Sequence, residues 1–216
     1  SNIFEIAEKI RQRVGRDAIF QLPDIQSPVD IAALIWEKAD FLMTMVDDPQ
    51  AIKEISALTE QLLTEFLDEW FKEFGTDYIA HYPQYLMHKG FTFSEDEIGE
   101  FSADMFVDFC LDPINRLSDR YGGCGMHCCA DSRHQWDKFK LIHGLRLINL
   151  NLPAIILDQA GSFFEDKICH WHMVRNFGGS ETSLIPSWVG RCSNQAHIVL
   201  EGGGDHKKDQ EQENNI

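Results

Sequence analysis

Residues 124–129, with the sequence Cys-Gly-Met-His-Cys-Cys, hold three thiols and one imidazole within six positions. The window is too short for a helix and follows two glycines, so it predicts a buried strand that opens into a loop. Because alternate residues of a strand share one face, His127 and Cys129 should point the same way and Cys128 the other way. An imidazole and a thiolate at this spacing are two ligands of a zinc site, which normally requires a third protein ligand.

A third metal ligand can be sought among three residues further away in the sequence, namely His172, Glu95 and Glu201. Each has an alternative structural role: His172 in lining a strand, Glu95 in a charged loop, and Glu201 at a solvent-facing position. His127, Cys129 and His172 are the predicted metal ligands, with zinc as the predicted ion. The pattern is equally compatible with small thiols that fill a strand core and with His127 as a hydrogen-bonded core histidine.

Polar residues also follow other predicted strands, at the point where each strand ends. Asp24, Gln26, His81 and Asn149 are the predicted substrate-binding residues, because their side chains offer hydrogen bonds at such positions. Each of them could instead satisfy backbone groups at a strand end.

The elements that must position these residues are short apolar runs that alternate with amphipathic segments. This alternation predicts an α/β fold with parallel strands and helical crossovers. Polar residues at the strand ends are typical of a (β/α)8 TIM-type barrel, of which about six units are present and the N-terminal units are missing. The barrel is predicted for residues 3–205, with a polar loop at 81–100 and a polar tail at 206–216. The predicted strands are 18–22, 77–81, 125–128, 145–149, 168–172 and 197–200.

Length and composition restrict the class of protein. The chain of 216 residues is 44% hydrophobic, enough for one sizeable core, and its net charge of −16 argues against a nucleic-acid partner. No apolar run reaches the roughly 20 residues of a membrane span. Six cysteines in a chain of this length do not indicate a secreted disulfide framework, so a cytoplasmic location is expected. An incomplete barrel would expose strand edges, which predicts a homo-oligomer formed through the opening.

Several motifs resemble the second half of the uroporphyrinogen decarboxylase superfamily, and in particular the branch that holds the cobalamin-dependent methyltransferases. They are Ser-Glu-Asp-Glu at 94–97, Phe-Ser-Ala-Asp-Met-Phe-Val-Asp-Phe at 101–109, Pro113, and Gly-Met-His-Cys-Cys at 125–129. Residues 25–33 and 48–49 resemble the middle of the family. The resemblance covers most of residues 18–205 and implies a (β/α)8 barrel that lacks about its first two units.

In the methyltransferase branch, His-x-Cys on the central strand matches His127 and Cys129, and a further Cys follows the last strand. Here Gly203 stands at that late position, so the zinc set is incomplete and weak zinc binding is expected. The resemblance implies transfer of a methyl group from a corrinoid, free or protein-bound, to a thiol. A metal-bound thiol is held as the thiolate, the nucleophilic form. The predicted function is therefore methyltransferase-like, with a small molecule or corrinoid protein as substrate.

Two alternatives remain. The first is uroporphyrinogen decarboxylase activity, in porphyrin biosynthesis. It is poorly supported, because Leu34 replaces the family's substrate-facing Tyr and residues 202–204 are Gly-Gly-Gly instead of Gly-His-Gly. The second is a non-catalytic or truncated family member.

Overall fold

Strands and helices alternate along the described part of the chain. The computed structural model describes residues 2–81, 85–164, 168–174 and 198–202, and for 169–174 and 198–202 it describes the backbone. The helices are α1 (Asn2–Val14), α2 (Pro28–Ile35), α3 (Lys38–Asp47), α4 (Pro49–Phe74), α5 (Ala103–Met105), α6 (Asp112–Tyr121), α7 (Trp136–Phe139) and α8 (Ala154–Phe164). The strands are β1 (Tyr78–Ile79), β2 (Leu86–Met87), β3 (Phe91–Ser94), β4 (Cys124–Cys128), β5 (Leu145–Leu152), β6 (Cys169–Val174) and β7 (Ile198–Gly202).

Strands β3 to β7 form one five-stranded sheet, in which every neighbouring pair is parallel and the spatial order follows the chain. Parallel neighbours need a crossover connection, and helices α6, α7 and α8 lie in the connections from β3 to β6. All five strands therefore end at the same edge of the sheet. Strands β4 to β7 confirm four of the six predicted strands, with small shifts at their ends.

The prediction of a (β/α)8 TIM-type barrel with six parallel units is wrong, because the described strands form an open sheet with β3 and β7 at its ends. Residues 18–22 make only a single parallel bridge, between Gln21 and Ile79. Pro23, which has no N–H for a strand ladder, follows that run and limits it. The predicted strand at 77–81 is reduced to β1, which pairs antiparallel with β2 in a separate hairpin.

Strand β3 lies within the segment that the sequence predicts to be a polar loop. Its sequence, Phe-Thr-Phe-Ser, alternates aromatic and hydroxyl side chains, and all four residues are buried. The rings of Phe91 and Phe93 stack with their centroids 5.3 Å apart, so they share one face of the strand. Thr92 and Ser94 therefore occupy the opposite face of the strand.

Helix ends follow local capping chemistry. Asp48 caps α4 through its side chain, which accepts a hydrogen bond from Ala51 N–H at 3.3 Å. Gly75 ends the helix with a φ of 86°, a conformation that suits glycine. Among the described helices, α4 is the longest at 26 residues. Neither it nor any other helix of the described residues has the length and apolar character needed to cross a membrane.

Pro113 changes the winding of the segment before β4. The sequence predicts a helix from Ser102 to Tyr121 that Pro113 kinks or interrupts. The structure has a π-helical stretch, Phe106–Leu111, between α5 and α6, and Pro113 lies in the first turn of α6. Because proline has no N–H and its ring crowds the preceding turn, the regular hydrogen-bond pattern is lost at this point.

Candidate metal centre

A row of polar side chains crosses the carboxyl ends of three neighbouring strands. Ser94, His127 and Asn149 are register partners on β3, β4 and β5, so their side chains share one face of the sheet. All three residues are buried. Buried polar groups are stable only when they have hydrogen-bond partners, so the row must be connected internally or to a ligand.

His127 lies in the middle of this row, and each of its ring nitrogens contacts a partner. Nδ1 is hydrogen-bonded to the side-chain oxygen of Asn149, and Nε2 lies 2.8 Å from Sγ of Cys129. Because an amide oxygen can only accept, Nδ1 carries the proton and Nε2 carries the lone pair. Metal-ligating histidines are oriented in this way, with the nitrogen remote from the metal donating to a fixed acceptor.

The turn after β3 supplies a third donor, Asp96. One ligand atom each from Asp96, His127 and Cys129 lies within 4.8 Å of the other two. One carboxylate oxygen of Asp96 also accepts a hydrogen bond from the backbone N–H of Cys129. Sequence reasoning missed Asp96 and proposed its neighbour Glu95, although both belong to the acidic run at 94–97 that the resemblance singled out.

Glu95 lies in the interior instead of in the cluster. It is fully buried, and its carboxyl group lies beside the side chains of Ser27 and Asp30. Burial is the largest cause that raises the pKa of Glu95 well above its ordinary value, and the nearby carboxylate of Asp30 raises it as well. Its position away from the cluster and its raised pKa, which favours the protonated form, make it a poor metal ligand.

The donors of the cluster fit zinc. Imidazole, thiolate and carboxylate groups all bind zinc, whereas magnesium and calcium take oxygen ligands. Tetrahedral zinc at its usual bond lengths separates an imidazole nitrogen and a thiolate sulfur by about 3.6 Å. Nε2 of His127 and Sγ of Cys129 are 2.8 Å apart, so a side-chain movement of less than about 1 Å makes room for the ion. Three protein ligands leave a fourth position for a substrate.

Cys128 confirms the predicted alternation of side chains along β4. Its thiol lies 3.3 Å from the hydroxyl of Ser132 and 3.6 Å from the carbonyl oxygen of Ala130, whereas His127 and Cys129 contact each other. Burial is the largest cause that raises the pKa of Cys128 far above its usual range. Cys128 is thus a packed, protonated thiol outside the metal cluster.

A second polar group adjoins the row at Ser94. Oδ1 of Asp24 lies 3.0 Å from Nε2 of His81, and it accepts hydrogen bonds from Ser94 Oγ at 3.3 Å and from Gln26 Nε2 at 3.2 Å. Burial, as the largest cause, lowers the pKa of His81 to about 4 although the carboxylate of Asp24 opposes it. Three of the predicted substrate-binding residues, Asp24, Gln26 and His81, therefore lie together.

The fourth predicted substrate-binding residue, Asn149, lies on the far side of His127 and orients its ring. A positive charge on His127, if its ring took up a second proton, would lower the pKa of His81 further. The predicted residues thus form one connected polar surface at the carboxyl edge of the sheet.

Two other predicted ligands lie on strands of which the backbone is described. His172 of β6 pairs with Leu150, and Glu201 of β7 pairs with Met173. The side chains of His172 and Glu201 lie outside the described residues, as does the whole of Gly203.

Comparisons of this chain with models of protein families, with curated proteins and with solved structures find no match.

Proposed function

We propose that this protein is a zinc-dependent enzyme that binds a substrate thiol and transfers a methyl group to its sulfur. The observation that carries the proposal is the convergence of Asp96, from the turn after β3, with His127 and Cys129, from the end of β4, within 4.8 Å of one another. One imidazole, one thiolate and one carboxylate are a sufficient protein ligand set for a catalytic zinc ion with an open position.

Each side chain of the centre has a distinct task in this reaction. Cys129 and Asp96 bring the negative charge that holds a dication, and His127 adds a neutral nitrogen donor. Asn149 fixes the ring of His127 so that Nε2 faces the ligand atom of Cys129. Zinc bound here would lower the pKa of a thiol in its open position and keep it as the nucleophilic thiolate.

The methyl transfer itself needs a donor with a good leaving group. The thiolate sulfur supplies the electron pair of the new S–C bond, and the pair of the broken bond leaves with the donor. With a methylated corrinoid, the Co–C pair stays on cobalt and gives the cobalt(I) form. This donor rests on the family resemblance at 94–97 and 125–129, whereas the zinc site rests on the geometry of the cluster.

The adjoining polar group is suited to hold the remainder of the thiol substrate. Asp24 and Gln26 lie at the outer end of this group and offer a carboxylate and an amide to polar substituents. His81 and Ser94 connect that outer end to the row that contains His127. A small thiol with hydrogen-bonding substituents matches this arrangement.

Metal analysis and a methyl-transfer assay test the proposal together. Purified protein loaded with zinc should retain about one ion per chain and should accelerate demethylation of methylcobalamin by 2-mercaptoethanol under anaerobic conditions. His127→Ala and Cys129→Ala should lose both properties, and Cys128→Ala should keep both. Turnover that is unaffected by His127→Ala would contradict the assignment of the centre.

Absence of zinc in the wild type under every loading condition would leave the packed-core interpretation of the cysteines and His127. Zinc binding without methyl transfer would retain the centre and reject the reaction.

A further inference from the structure

The carboxylate of Asp30 reaches from α2 across to the turn that carries the candidate ligand Asp96. Oδ2 accepts a hydrogen bond from the backbone N–H of Asp96 at 2.7 Å, and Oδ1 accepts one from the N–H of Glu97 at 3.0 Å. Asp30 is 1% exposed, and Asp96 and Glu97 are partly buried. One side chain therefore satisfies two successive backbone donors of a remote segment.

These bonds are not ordinary helix capping. Ser27 and Asp30 match the capping-box spacing at the start of α2, and Ser27 Oγ does accept from Asp30 N–H at 3.1 Å. The return bond of such a box would run from Ser27 N–H to the carboxylate of Asp30. Instead Ser27 N–H donates to the carbonyl oxygen of Ser94 at 2.9 Å. The carboxylate of Asp30 can therefore accept hydrogen bonds from the backbone N–H groups of the turn at 96–97.

The effect of Asp30 continues through Asp96 to a second ligand. Asp96 accepts a hydrogen bond from the backbone N–H of Cys129, so its carboxylate spans the gap between the ends of β3 and β4. The preceding residue, Glu95, donates its N–H to the carbonyl oxygen of His127 at 2.9 Å. The backbones around all three ligands are therefore linked, and Asp30 holds the turn that provides Asp96.

An ionised carboxylate at this depth is costly, which argues for a role beyond packing. The carboxyl group of Glu95, which is also buried, lies close to that of Asp30. A neutral Asn would avoid most of the desolvation cost, but its single oxygen could not accept from both N–H groups in the same way.

We propose that Asp30 is a positioning residue of the metal centre, which holds the turn at 96–97 so that Asp96 and Cys129 face one ion. The inference rests on the proposed function, because it assigns both residues to a single metal. Asp30 touches no ligand atom of the metal in this arrangement and acts through Asp96.

The test uses Asp30→Asn in the full chain, with Asp48→Asn as the matched control. Asp48 also accepts a backbone N–H at a helix start, from Ala51 at 3.3 Å, but it belongs to α4. We expect Asp30→Asn to weaken zinc binding about 10- to 100-fold in competition with a chromophoric chelator. Asp48→Asn should leave zinc affinity unchanged and should change stability little, because Asn caps a helix start about as well as Asp does.

Two further readouts separate positioning from a general loss of stability. In metal-free Asp30→Asn, amide hydrogen exchange at Cys129 should be faster than in the wild type, because the acceptor on Asp96 is no longer held. At saturating cobalt(II), the thiolate-to-cobalt absorption of the folded variant should differ from that of the wild type, because the carboxylate donor is displaced. If Asp30→Asn does not fold, Asp30→Glu keeps the charge and both acceptor oxygens, adds one methylene, and is measured in the same way.

Failure of this inference is distinguishable from failure of the proposed function. Zinc bound equally by the wild type and Asp30→Asn, with unchanged exchange at Cys129, would overturn the positioning role and leave the centre intact. If the wild type binds no zinc, the metal centre fails. In that case, amide hydrogen exchange at Cys129 alone tests whether Asp30 holds the turn. Faster exchange in Asp30→Asn than in the wild type would support this role, and equal exchange would overturn it.

Discussion

Replacing His81 by Gln should remove a pH-dependent contribution of about 3 kcal/mol to the free energy of unfolding. The side chain of His81 is 3% exposed. Burial, as the largest cause, lowers its pKa from 6.5 to about 4, against the opposing effect of Asp24. At about 1.4 kcal/mol for each pH unit, this difference corresponds to about 3 kcal/mol.

The sign follows from proton binding in the two states. Between about pH 4 and pH 6.5 the unfolded chain protonates His81 and the folded protein does not. The unfolded state therefore binds more protons, and the free energy of unfolding rises with pH in this window. The contribution is fully present above about pH 6.5 and is lost as the pH falls to about 4.

Asp30 has the opposite dependence over nearly the same range. Its pKa is raised from 3.8 to about 6, so the folded protein binds this proton more tightly than the unfolded chain does. That contribution is present at low pH and is lost as the pH rises through about 6. Because the two effects oppose each other, they partly cancel in the pH dependence of the wild type's free energy of unfolding. The difference in this free energy between the wild type and His81→Gln isolates the contribution of His81.

Urea unfolding of the metal-free protein at several pH values between about 4 and 7 provides the measurement. The free energy of unfolding of the wild type minus that of His81→Gln should increase with pH and level off near neutrality. The test depends on this change with pH and not on the absolute value of the difference. His88→Gln is the matched control, because the side chain of His88 is 74% exposed and this variant should leave the profile unchanged. A difference for His81→Gln that is constant across the pH range would refute a buried, neutral His81.

Three further predictions concern the metal centre and the turns beside it. Asn149→Leu removes the acceptor that orients His127, so zinc affinity measured by chelator competition should fall about 10- to 100-fold. Equal affinity in this variant and the wild type would show that other contacts hold the ring. Cys128→Ala should have the same zinc content as the wild type in elemental analysis, because the thiol of Cys128 lies on the opposite face of β4. Loss of the metal would show that the strand register is one residue off. Gly99→Ala should lower the free energy of unfolding in urea by about 1–3 kcal/mol, because the added Cβ would lie 2.7 Å from Cβ of Ala130. Unchanged stability of Gly99→Ala would show that the two turns separate at little cost.

Features that depend on adjacent residues could be predicted from the sequence. The start of α4 at Pro49 and its end before Gly75 follow from a side-chain cap, a proline in the first turn and a glycine C-cap. The shared face of His127 and Cys129 follows from strand alternation, which needs no knowledge of neighbouring strands. Such features are settled by backbone geometry over a few positions.

The buried face of a helix was less predictable than its limits. Ile6, Ile10 and Val14 have helical spacing in α1, yet they are 52%, 46% and 61% exposed. Leu58 and Leu62 also have helical spacing, in α4, and they are 68% and 59% exposed. Apolar spacing defines a stripe, but the elements packed against the helix decide which part of the surface is buried.

The third ligand and the open sheet depended on tertiary structure. Asp96 and Cys129 are 33 residues apart in the chain, and they meet because β3 and β4 pair in parallel register and end together. Glu95 and Asp96 are adjacent and chemically alike, so only their placement after β3 separates a buried acid from a candidate ligand. The sequence alone therefore determined the pair His127 and Cys129. The strand register determined their partner, because contacts between remote segments follow from pairing and packing, not from local spacing.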